Sequence, residues 1–243
     1  MTGEEIAEVL AWDSEFFGFR IGRVRAPDLK PEVARRLEAW GRDHGLRCLY
    51  LLLDANDSPS IRAAEEIGFR HVDVRLTRGR SLGGDLEAPP EIEPAAEKDL
   101  PALREIARRS HHASRFYQDP GFPDERCDAL YERWLERGFE EPDQQVLVIR
   151  QSAQPLGYIV CSNLEDTCGR ISLIAVAAGA SGAGLGGSLA RGGLAFMASR
   201  GCERAEVVSQ GRNVPANRLY ERLGFLTLRM EHWFHLWMDE GAA

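Results

Sequence analysis

The sequence contains no apolar run long enough to cross a bilayer and no excess of positive charge. Its apolar runs, such as residues 49–53 and 171–178, fall far short of the ~20 residues that a membrane helix needs. The chain has 30 Lys and Arg against 38 Asp and Glu, a formal net charge of −8. This balance disfavours non-specific binding to nucleic acid or anionic lipid. We therefore expect no nucleic-acid partner and no membrane association.

Signals for secretion and for disulfide formation are also missing. The first residues, MTGEEIAEVLAWD, are acidic and lack the basic start and apolar core of a signal peptide. The five cysteines are scattered, odd in number and never spaced as Cys-x-x-Cys, which argues against a disulfide framework or structural zinc. We expect a soluble, cytoplasmic protein with free thiols and no bound metal.

A change of composition marks a predicted domain boundary. Residues 79–90 concentrate Gly, Pro and polar side chains, the composition of a connection. Before it, the periodicity predicts a small α/β unit with two helices, a buried strand at residues 48–53 and a further strand that begins near Phe69. The chain of 243 residues is long enough for two domains. We predict one domain at residues 1–85 and a second at residues 91–243.

The second segment mixes helical and strand patterns. Helices are predicted at residues 97–110 and 124–138, and three strands between residues 145 and 177 form a meander. A helix at residues 185–200, a strand, a further helix and two closing strands, around residues 225–229 and 233–238, complete the chain. This order predicts an α/β (α+β) fold whose mixed sheet is covered by helices on both faces.

A glycine-rich turn lies between a predicted strand and a predicted helix. The turn consists of Ser181, Gly182, Ala183, Gly184, Leu185, Gly186 and Gly187. Free amides at a helix N-terminus bind phosphate-like anions. The Gly-Lys-Ser or Gly-Lys-Thr of a nucleotide P-loop is absent, and Glu206 lies inside the next strand rather than at its end, which gives a dinucleotide site little support. A phosphate site and a plain tight turn both remain open from the turn alone.

A second motif lies downstream, at residues 213–225. One face of its helix, at i, i+3, i+4 and i+7, is formed by Ala216, Leu219, Tyr220 and Leu223. Gly224 supplies the C-terminal stop. In order and spacing, the turn and this helix together resemble the GNAT superfamily of N-acetyltransferases, and the resemblance covers about residues 91–238. It departs from the family pattern at Ser181, where Arg or Gln is usual.

The resemblance implies a mixed, mostly antiparallel sheet flanked by helices and acetyl-CoA as co-substrate. The residues that it implies for coenzyme binding are Ile174, Ala175, Val176, Gly182, Ala183, Gly184, Leu185, Gly186, Gly187, Asn213 and Ala216. An amide near Ile174 or Ala175 would stabilise the oxyanion that forms when an amine attacks the thioester. Tyr220 is implied as the general acid for the departing thiolate, because its reference pKa of about 10 keeps the phenol protonated.

The base that removes the amine proton is not identified by the sequence. The candidates are Glu165, Asp119, His111, His112 and a chain of water molecules. His232 and His235 flank Trp233 on a predicted strand, where we expect partly buried structural histidines.

Two further segments bear on the acceptor. Residues 11–18 and 114–120, with the closing aromatic strand, resemble a branch of the superfamily that acetylates amino sugars carried on a nucleotide diphosphate. The implied substrate-binding residues are Arg115, Phe116 and Tyr117. Two roles for Arg115 are compatible with the sequence. Its side chain either forms charge-assisted hydrogen bonds to a substrate phosphate or is a solvated cation in a loop. Trp233 and Trp237 fit a homodimer contact or the core.

We therefore predict an N-acetyltransferase for a nucleotide-linked amino-deoxy sugar. Two alternatives remain open, which are acetylation of a protein, peptide or small-molecule amine, and a coenzyme-binding module without turnover.

The first segment contains an echo of the second. Residues 49–69 parallel residues 207–225, since both run from a strand into a helix that ends in Gly-Phe. Aligning the Gly-Phe pairs puts Ala64 where Tyr220 stands, and no glycine-rich turn precedes the first copy. We predict a smaller, degenerate GNAT-like α/β domain at the N-terminus that binds no coenzyme.

Overall fold

A computed structural model describes residues 6–25, 29, 31–84, 86–165, 167–180 and 182–238. The strands are β1 (Ala7–Val9), β2 (Ile21–Val24), β3 (Cys48–Asp54), β4 (Arg70–Ser81), β5 (Ile92–Pro94), β6 (Gln144–Gln151), β7 (Gln154–Glu165), β8 (Cys168–Val176), β9 (Arg204–Gln210) and β10 (Leu226–Trp237). The helices are α1 (Ala11–Phe17), α2 (Pro31–Asp43), α3 (Ser58–Glu66), α4 (Leu100–Arg108), α5 (Arg115–Gln118), α6 (Asp124–Glu140), α7 (Leu185–Ser199) and α8 (Val214–Arg222).

The contacts within the chain group it into two compact units. The first unit is drawn from Met1–Arg75, Arg115–Pro123 and Arg229–Ala243, and the second from Leu76–Ser114 and Asp124–Leu228. This grouping differs from the single predicted boundary between residues 85 and 91, because α5 and the end of β10 belong to the first unit. The two predicted closing strands are likewise one continuous strand, β10.

The first unit is built around β3. This strand pairs in parallel with β2. On its other side it pairs antiparallel with β10, and that register runs from Cys48 opposite Trp237 to Asp54 opposite Glu231. Leu49, Leu51 and Leu53 alternate along β3 and are buried in one core cluster together with Leu37 and Trp40 of α2. The period of two on the strand and the helical spacing on α2 explain why these residues meet in one core.

The second unit contains a mixed sheet in the order β4-β9-β8-β7-β6-β5. Strands β5 to β8 pair antiparallel with their neighbours, and β8 pairs in parallel with β9. The predicted mixed, mostly antiparallel sheet with flanking helices is therefore confirmed.

Helices cover both faces of this sheet. On β7, Ile159 belongs to the core cluster that includes Leu189 and Leu194 of α7. Neighbouring residues point to opposite faces of a strand, so Val160 faces the other side. There Gly138 of α6 packs so closely that a Cβ on it would lie 3.0 Å from Val160.

The predicted internal echo has a counterpart in local geometry. The side chain of Asp57 caps α3 by accepting from the Ser60 amide, and Asn213 caps α8 in the same way. At the other end, the Phe69 amide donates to the carbonyl of Ala64, and the amide of Phe225 donates to Tyr220, each at 3.0 Å. Ala64 and Tyr220 thus occupy matching positions, while an N-terminal GNAT-like domain remains a prediction.

Within the described residues, no helix is both long enough and apolar enough to span a membrane.

Helix α7 approaches the sheet closely because two of its residues lack a side chain. A Cβ at Gly192 would lie 2.6 to 3.0 Å from three atoms of Ile92, and one at Gly193 would lie 2.7 Å from Ile159. We predict that Gly192→Ala lowers the free energy of unfolding by about 1 kcal/mol, because an overpacking cost of about 1–3 kcal/mol exceeds the gain of about 1 kcal/mol in helix propensity.

Urea denaturation measures this change. Gly186→Ala on the same helix is the matched control, since its Cβ would meet only ordinary contacts, the nearest at 3.6 Å from Leu219. Equal stability of the two variants would contradict the packing argument.

Candidate functional site

The glycine-rich turn adopts backbone angles that favour glycine. Gly182 has a φ of +86° and Gly184, the N-cap of α7, a φ of +82°. Residues with a Cβ rarely adopt this left-handed region. The glycines therefore allow the chain to turn sharply from β8 into α7. Ser181, the position that departs from the family pattern, lies outside the described residues.

The start of α7 presents amide donors. The carbonyl of Gly184 accepts the first helical hydrogen bonds, from the amides of Gly187 at 2.9 Å and Ser188 at 3.2 Å. The amides of Leu185 and Gly186 precede these and are the donors that a helix leaves for an external acceptor. Together with the helix dipole, they form a cradle suited to a phosphate or pyrophosphate.

Strand β8 lies beside this turn and loses its neighbour part way along. Its parallel pairing with β9 runs from Cys168–Arg204 to Ile171–Val207, and both strands continue beyond that point. The β7 register shifts at the same place, from Val160–Leu173 to Cys161–Ile171, which leaves Ser172 as an extra residue in β8. A bulge of this kind bends a strand and increases its twist. The bulge therefore coincides with the opening between β8 and β9.

The alternation of β8 decides which backbone groups face the opening. The amide of Ala177 donates to the carbonyl of Leu156 at 2.8 Å, so this pair is bonded to β7. In an antiparallel ladder every second residue repeats that arrangement. The backbone groups of Ala175 are therefore engaged with β7, whereas those of Ile174 and Val176 point away from β7, toward the open edge.

Helix α8 closes the other side of this region. Asn213 accepts a hydrogen bond from the amide of Ala216 at 3.2 Å and so begins the helix. Asn217 accepts from the Ser209 hydroxyl at 2.7 Å and donates to the carbonyl of Gln210 at 3.0 Å. These bonds fix the start of α8 to the end of β9.

Asn217 and Ser209 were missed by the sequence argument. An asparagine inside a helix is disfavoured unless its amide has a specific partner, so its presence in the motif was the available signal.

The predicted coenzyme residues converge in the second unit. A Cβ at Gly186 would lie 3.6 Å from Leu219 of α8 and 3.9 Å from Val176 of β8, so the turn, the strand and the helix meet there. Ile174 and Val176 pack against the same core cluster that contains the buried Tyr220.

Tyr220 is held in a mostly apolar environment. It is 3% exposed, and its ring packs edge-on against Phe225 with ring centroids 5.6 Å apart. Burial raises the pKa of the Tyr220 phenol well above its usual value. The phenol is therefore protonated at neutral pH, the state that a hydrogen-bond donor or general acid requires.

The predicted substrate residues lie elsewhere, on α5 in the first unit. The guanidinium carbon of Arg115 sits over three rings, 4.2 Å from the centroid of Phe116, 4.3 Å from Trp233 and 5.0 Å from Tyr50. Its Nε is buried without a hydrogen-bond partner. None of the described carboxylates forms a direct ion pair with it, although the Arg115 charge opposes the rise that burial gives to the pKa of Asp13, which places Asp13 nearby. Arg115 is thus a cation held on an aromatic platform with capacity for an anion.

Asp119, a candidate base, has its carboxylate occupied. The carboxylate accepts hydrogen bonds from His235 Nδ1 at 2.6 Å, from Trp237 Nε1 at 2.9 Å and from the Gly121 amide at 3.0 Å. Burial alone would raise the pKa of Asp119, but these hydrogen bonds hold it below its usual value. Asp119 therefore anchors the loop after α5 to β10. Because its oxygens already accept these hydrogen bonds, Asp119 is not available as the base for an amine.

The other candidate bases differ in their surroundings. His111 Nε2 lies 3.0 Å from the Tyr158 hydroxyl, and the His111 ring stacks on Tyr131 at 4.3 Å. Burial, with a smaller effect of His112, lowers the pKa of His111 to about 4, which makes it a weak base. His112 is exposed, and the side chain of Glu165 lies outside the described residues.

No group of three or more His, Cys, Asp or Glu side chains is arranged for a metal ion in the part of the chain that the structure describes. All five cysteines are buried free thiols.

The chain is similar in sequence to known acetyltransferases. A model of the acetyltransferase (GNAT) family matches residues 100–225. The chain is 26% identical to the dTDP-fucosamine acetyltransferase of Escherichia coli O6:H1, over 94% of this chain and 96% of the relative. It is also 26% identical to the spore coat polysaccharide biosynthesis protein SpsD of Bacillus subtilis, over 100% of this chain and 86% of the relative.

Solved structures agree on the fold. A GCN5-related N-acetyltransferase from Sphaerobacter thermophilus superposes with a TM-score of 0.67 at 17% identity, covering 95% of this chain and 76% of that one.

The buried histidine of the first unit predicts a pH-dependent stability. Burial lowers the pKa of His235 to about 4, although the hydrogen bond to Asp119 acts in the opposite direction. The folded state therefore binds fewer protons than the unfolded state, whose histidine titrates near 6.5, and stability falls as pH drops from about 6.5 to about 4. At about 1.4 kcal/mol per pH unit, His235 contributes up to about 3 kcal/mol of this loss.

Urea titrations of the native protein and of His235→Gln between pH 4 and pH 7 test this sign. We expect the variant to lose less stability across the interval than the native protein. Parallel curves for the two proteins would assign the loss to other groups.

Proposed function

Because this chain belongs to the acetyltransferase (GNAT) family, we propose that it transfers the acetyl group of acetyl-CoA to the amino group of a nucleotide-linked (dTDP) amino-deoxy sugar. GNAT acetyltransferases use acetyl-CoA, which supplies an acyl group activated as a thioester. The acetyl-transfer chemistry rests on one observation. In the second unit, an open strand edge, a helix N-terminus with free amides for a phosphate, and a protonated tyrosine lie together.

The residues present fit the coenzyme. The free amides at the start of α7, next to Gly182 and Gly184, would bind its pyrophosphate. The backbone groups of Ile174 and Val176 would pair with its amide-containing arm, as a strand pairs with a strand. The side chain of Asn213 already caps α8, so its expected contribution is to position that helix.

The chemistry needs an oxyanion donor and an acid. When the amine nitrogen attacks the thioester carbon, negative charge develops on the carbonyl oxygen, and a fixed amide stabilises it. Ile174 suits this role better than Ala175, because the alternation of β8 directs the backbone groups of Ala175 to β7. As the carbon–sulfur bond breaks, Tyr220 donates its proton to the departing thiolate, and the amine proton leaves to water.

Two observations support the nucleotide sugar as acceptor. The similarity to the dTDP-fucosamine acetyltransferase extends over nearly the full length of both chains, including the first unit. In that unit, the Arg115 cation lies on the platform of Phe116 and Trp233, with Asp13 nearby but without a direct ion pair among the described residues. A diphosphate satisfies such a guanidinium through paired, charge-assisted hydrogen bonds.

The role of Tyr220 is tested by Tyr220→Phe, which removes only the hydroxyl. We expect kcat to fall at least 100-fold while KM for acetyl-CoA stays within about two-fold, since general acid catalysis contributes about 10²–10⁴. Thiol release from acetyl-CoA with a dTDP-4-amino-4,6-dideoxy sugar as acceptor measures this. Thermal unfolding of the variant is the control, because Tyr220 is buried and a loss of folding would lower kcat without any bearing on the acid. An unchanged kcat for Tyr220→Phe would exclude it as the acid.

The role of Arg115 is tested by Arg115→Ala. We expect KM for the nucleotide sugar to rise at least ten-fold while turnover of a small free amine is retained, because only the nucleotide carries a diphosphate. Arg115→Lys should recover part of the affinity, since it keeps the charge and loses the planar fork. An equal loss for both acceptors would rule out phosphate recognition.

The same assays separate the alternatives. Turnover of other amines without turnover of the nucleotide sugar would keep the acetyl-transfer chemistry and refute the sugar assignment. Coenzyme binding without turnover of any amine would favour a binding module.

A further inference from the structure

An open cleft of about 180 Å³ lies in the second unit, on the side of the sheet that α6 covers. It is lined by Trp134 and Arg137 of α6, Gln144 at the start of β6, and Ser172 and Leu173 of β8. None of these residues belongs to the predicted coenzyme site. This volume is smaller than the ~300–1,000 Å³ of a typical ligand pocket, which suits one small ring better than a whole nucleotide.

The position of the cleft ties it to the reaction. Ser172 is the extra residue of the β8 bulge, and Leu173 directly precedes Ile174, whose backbone faces the open edge. The lining of the cleft therefore includes the residue that directly precedes Ile174, the proposed oxyanion donor. A group bound there is within a few ångströms of the strand along which the thioester would lie, so the cleft is placed for the acceptor.

The lining combines a flat aromatic face with neutral hydrogen-bonding groups. Trp134 supplies an indole, and Gln144 a donor and an acceptor in one amide. The hydroxyl of Ser172 lies 2.8 Å from that of Ser162, which leaves it further bonding capacity. Arg137 is already shared with Glu141 at 3.1 Å. This set suits a ring with an apolar face and several hydroxyls, and it offers no unshared cation for a phosphate.

The indole is held by a row of rings. Tyr131 packs edge-on against Trp134 with centroids 5.1 Å apart, and His111 stacks on Tyr131 at 4.3 Å. The row ends at the buried hydroxyl of Tyr158, 3.0 Å from His111. A packed and hydrogen-bonded support of this kind keeps a binding surface in one orientation, which lowers the entropic cost of binding.

We propose that this cleft binds the sugar ring of the acceptor, with the ring stacked on Trp134 and its hydroxyls bound by Gln144 and Ser172. The inference rests on the proposed function and deepens it, since it names the part of the acceptor that the cleft recognises.

Steady-state kinetics with four variants test the proposal. Trp134→Ala and Gln144→Ala should raise KM at least ten-fold for both the dTDP-amino sugar and the corresponding free amino sugar. KM for acetyl-CoA and the inhibition constant of dTDP alone should stay within about two-fold. Trp134→Phe, which keeps an aromatic face, should recover most of the affinity. Arg115→Ala should give the opposite pattern, with weaker dTDP inhibition and an unchanged KM for the free sugar.

Two results would overturn the proposal. One is an unchanged acceptor KM in Trp134→Ala and Gln144→Ala, with thermal unfolding showing that both are folded. The other is a parallel rise in KM for acetyl-CoA, which would indicate a disturbed coenzyme site.

A failure of the proposed function gives a different outcome. If another amine is acetylated and neither sugar is, saturation-transfer NMR with the free amino sugar decides the inference independently. Contact of the sugar with the native protein, lost in Trp134→Ala, supports the cleft as a sugar site, and no contact with the native protein refutes it.

Discussion

The end of the β8–β9 pairing at Ile171–Val207 is the constraint on which the rest of the site depends. A strand inside a sheet satisfies its backbone groups on both sides, and an orphaned buried group is costly. Beyond this point β8 keeps its β7 partner, while Ile174 and Val176 turn their backbone groups to the opening. A ligand with peptide-like groups can complete the ladder there. The sheet thus provides a binding edge without any specialised side chain, and catalytic groups need only be placed around it.

Other elements hold the opening in place. Helix α7 packs closely on the sheet through Gly192 and Gly193, and its first turn presents free amides beside the end of β8. Helix α8 is fixed to β9 through Asn217, so Tyr220 is delivered by a helix that cannot shift independently of that strand. The chemistry therefore depends on rigid elements. The first unit supplies a different feature, a platform of aromatic rings with one cation.

Much of this was accessible from the sequence. The glycine-rich turn and the helix at residues 213–225 were predictable because their signals are local, namely left-handed glycines, an N-cap and a 3.6-residue period. The opening itself was not, since the bulge at Ser172 depends on the register with β7 and leaves no mark in composition. The grouping into units was also missed, because β10 pairs with β3 across most of the chain length. The role of Asp119 depends on His235 and Trp237, more than 100 residues away, and no local pattern reports such a contact.

Amide hydrogen exchange of β8, with and without acetyl-CoA, measures directly whether the open edge of this strand binds the coenzyme. We predict that the amides of Leu173 and Ala175 are protected in both states, because β7 engages them. The amides of Ile174 and Val176 should exchange quickly in the free protein and slow at least ten-fold when acetyl-CoA is bound. Unchanged exchange at Ile174 and Val176 under saturating acetyl-CoA would contradict the claim that the open edge of β8 binds the coenzyme.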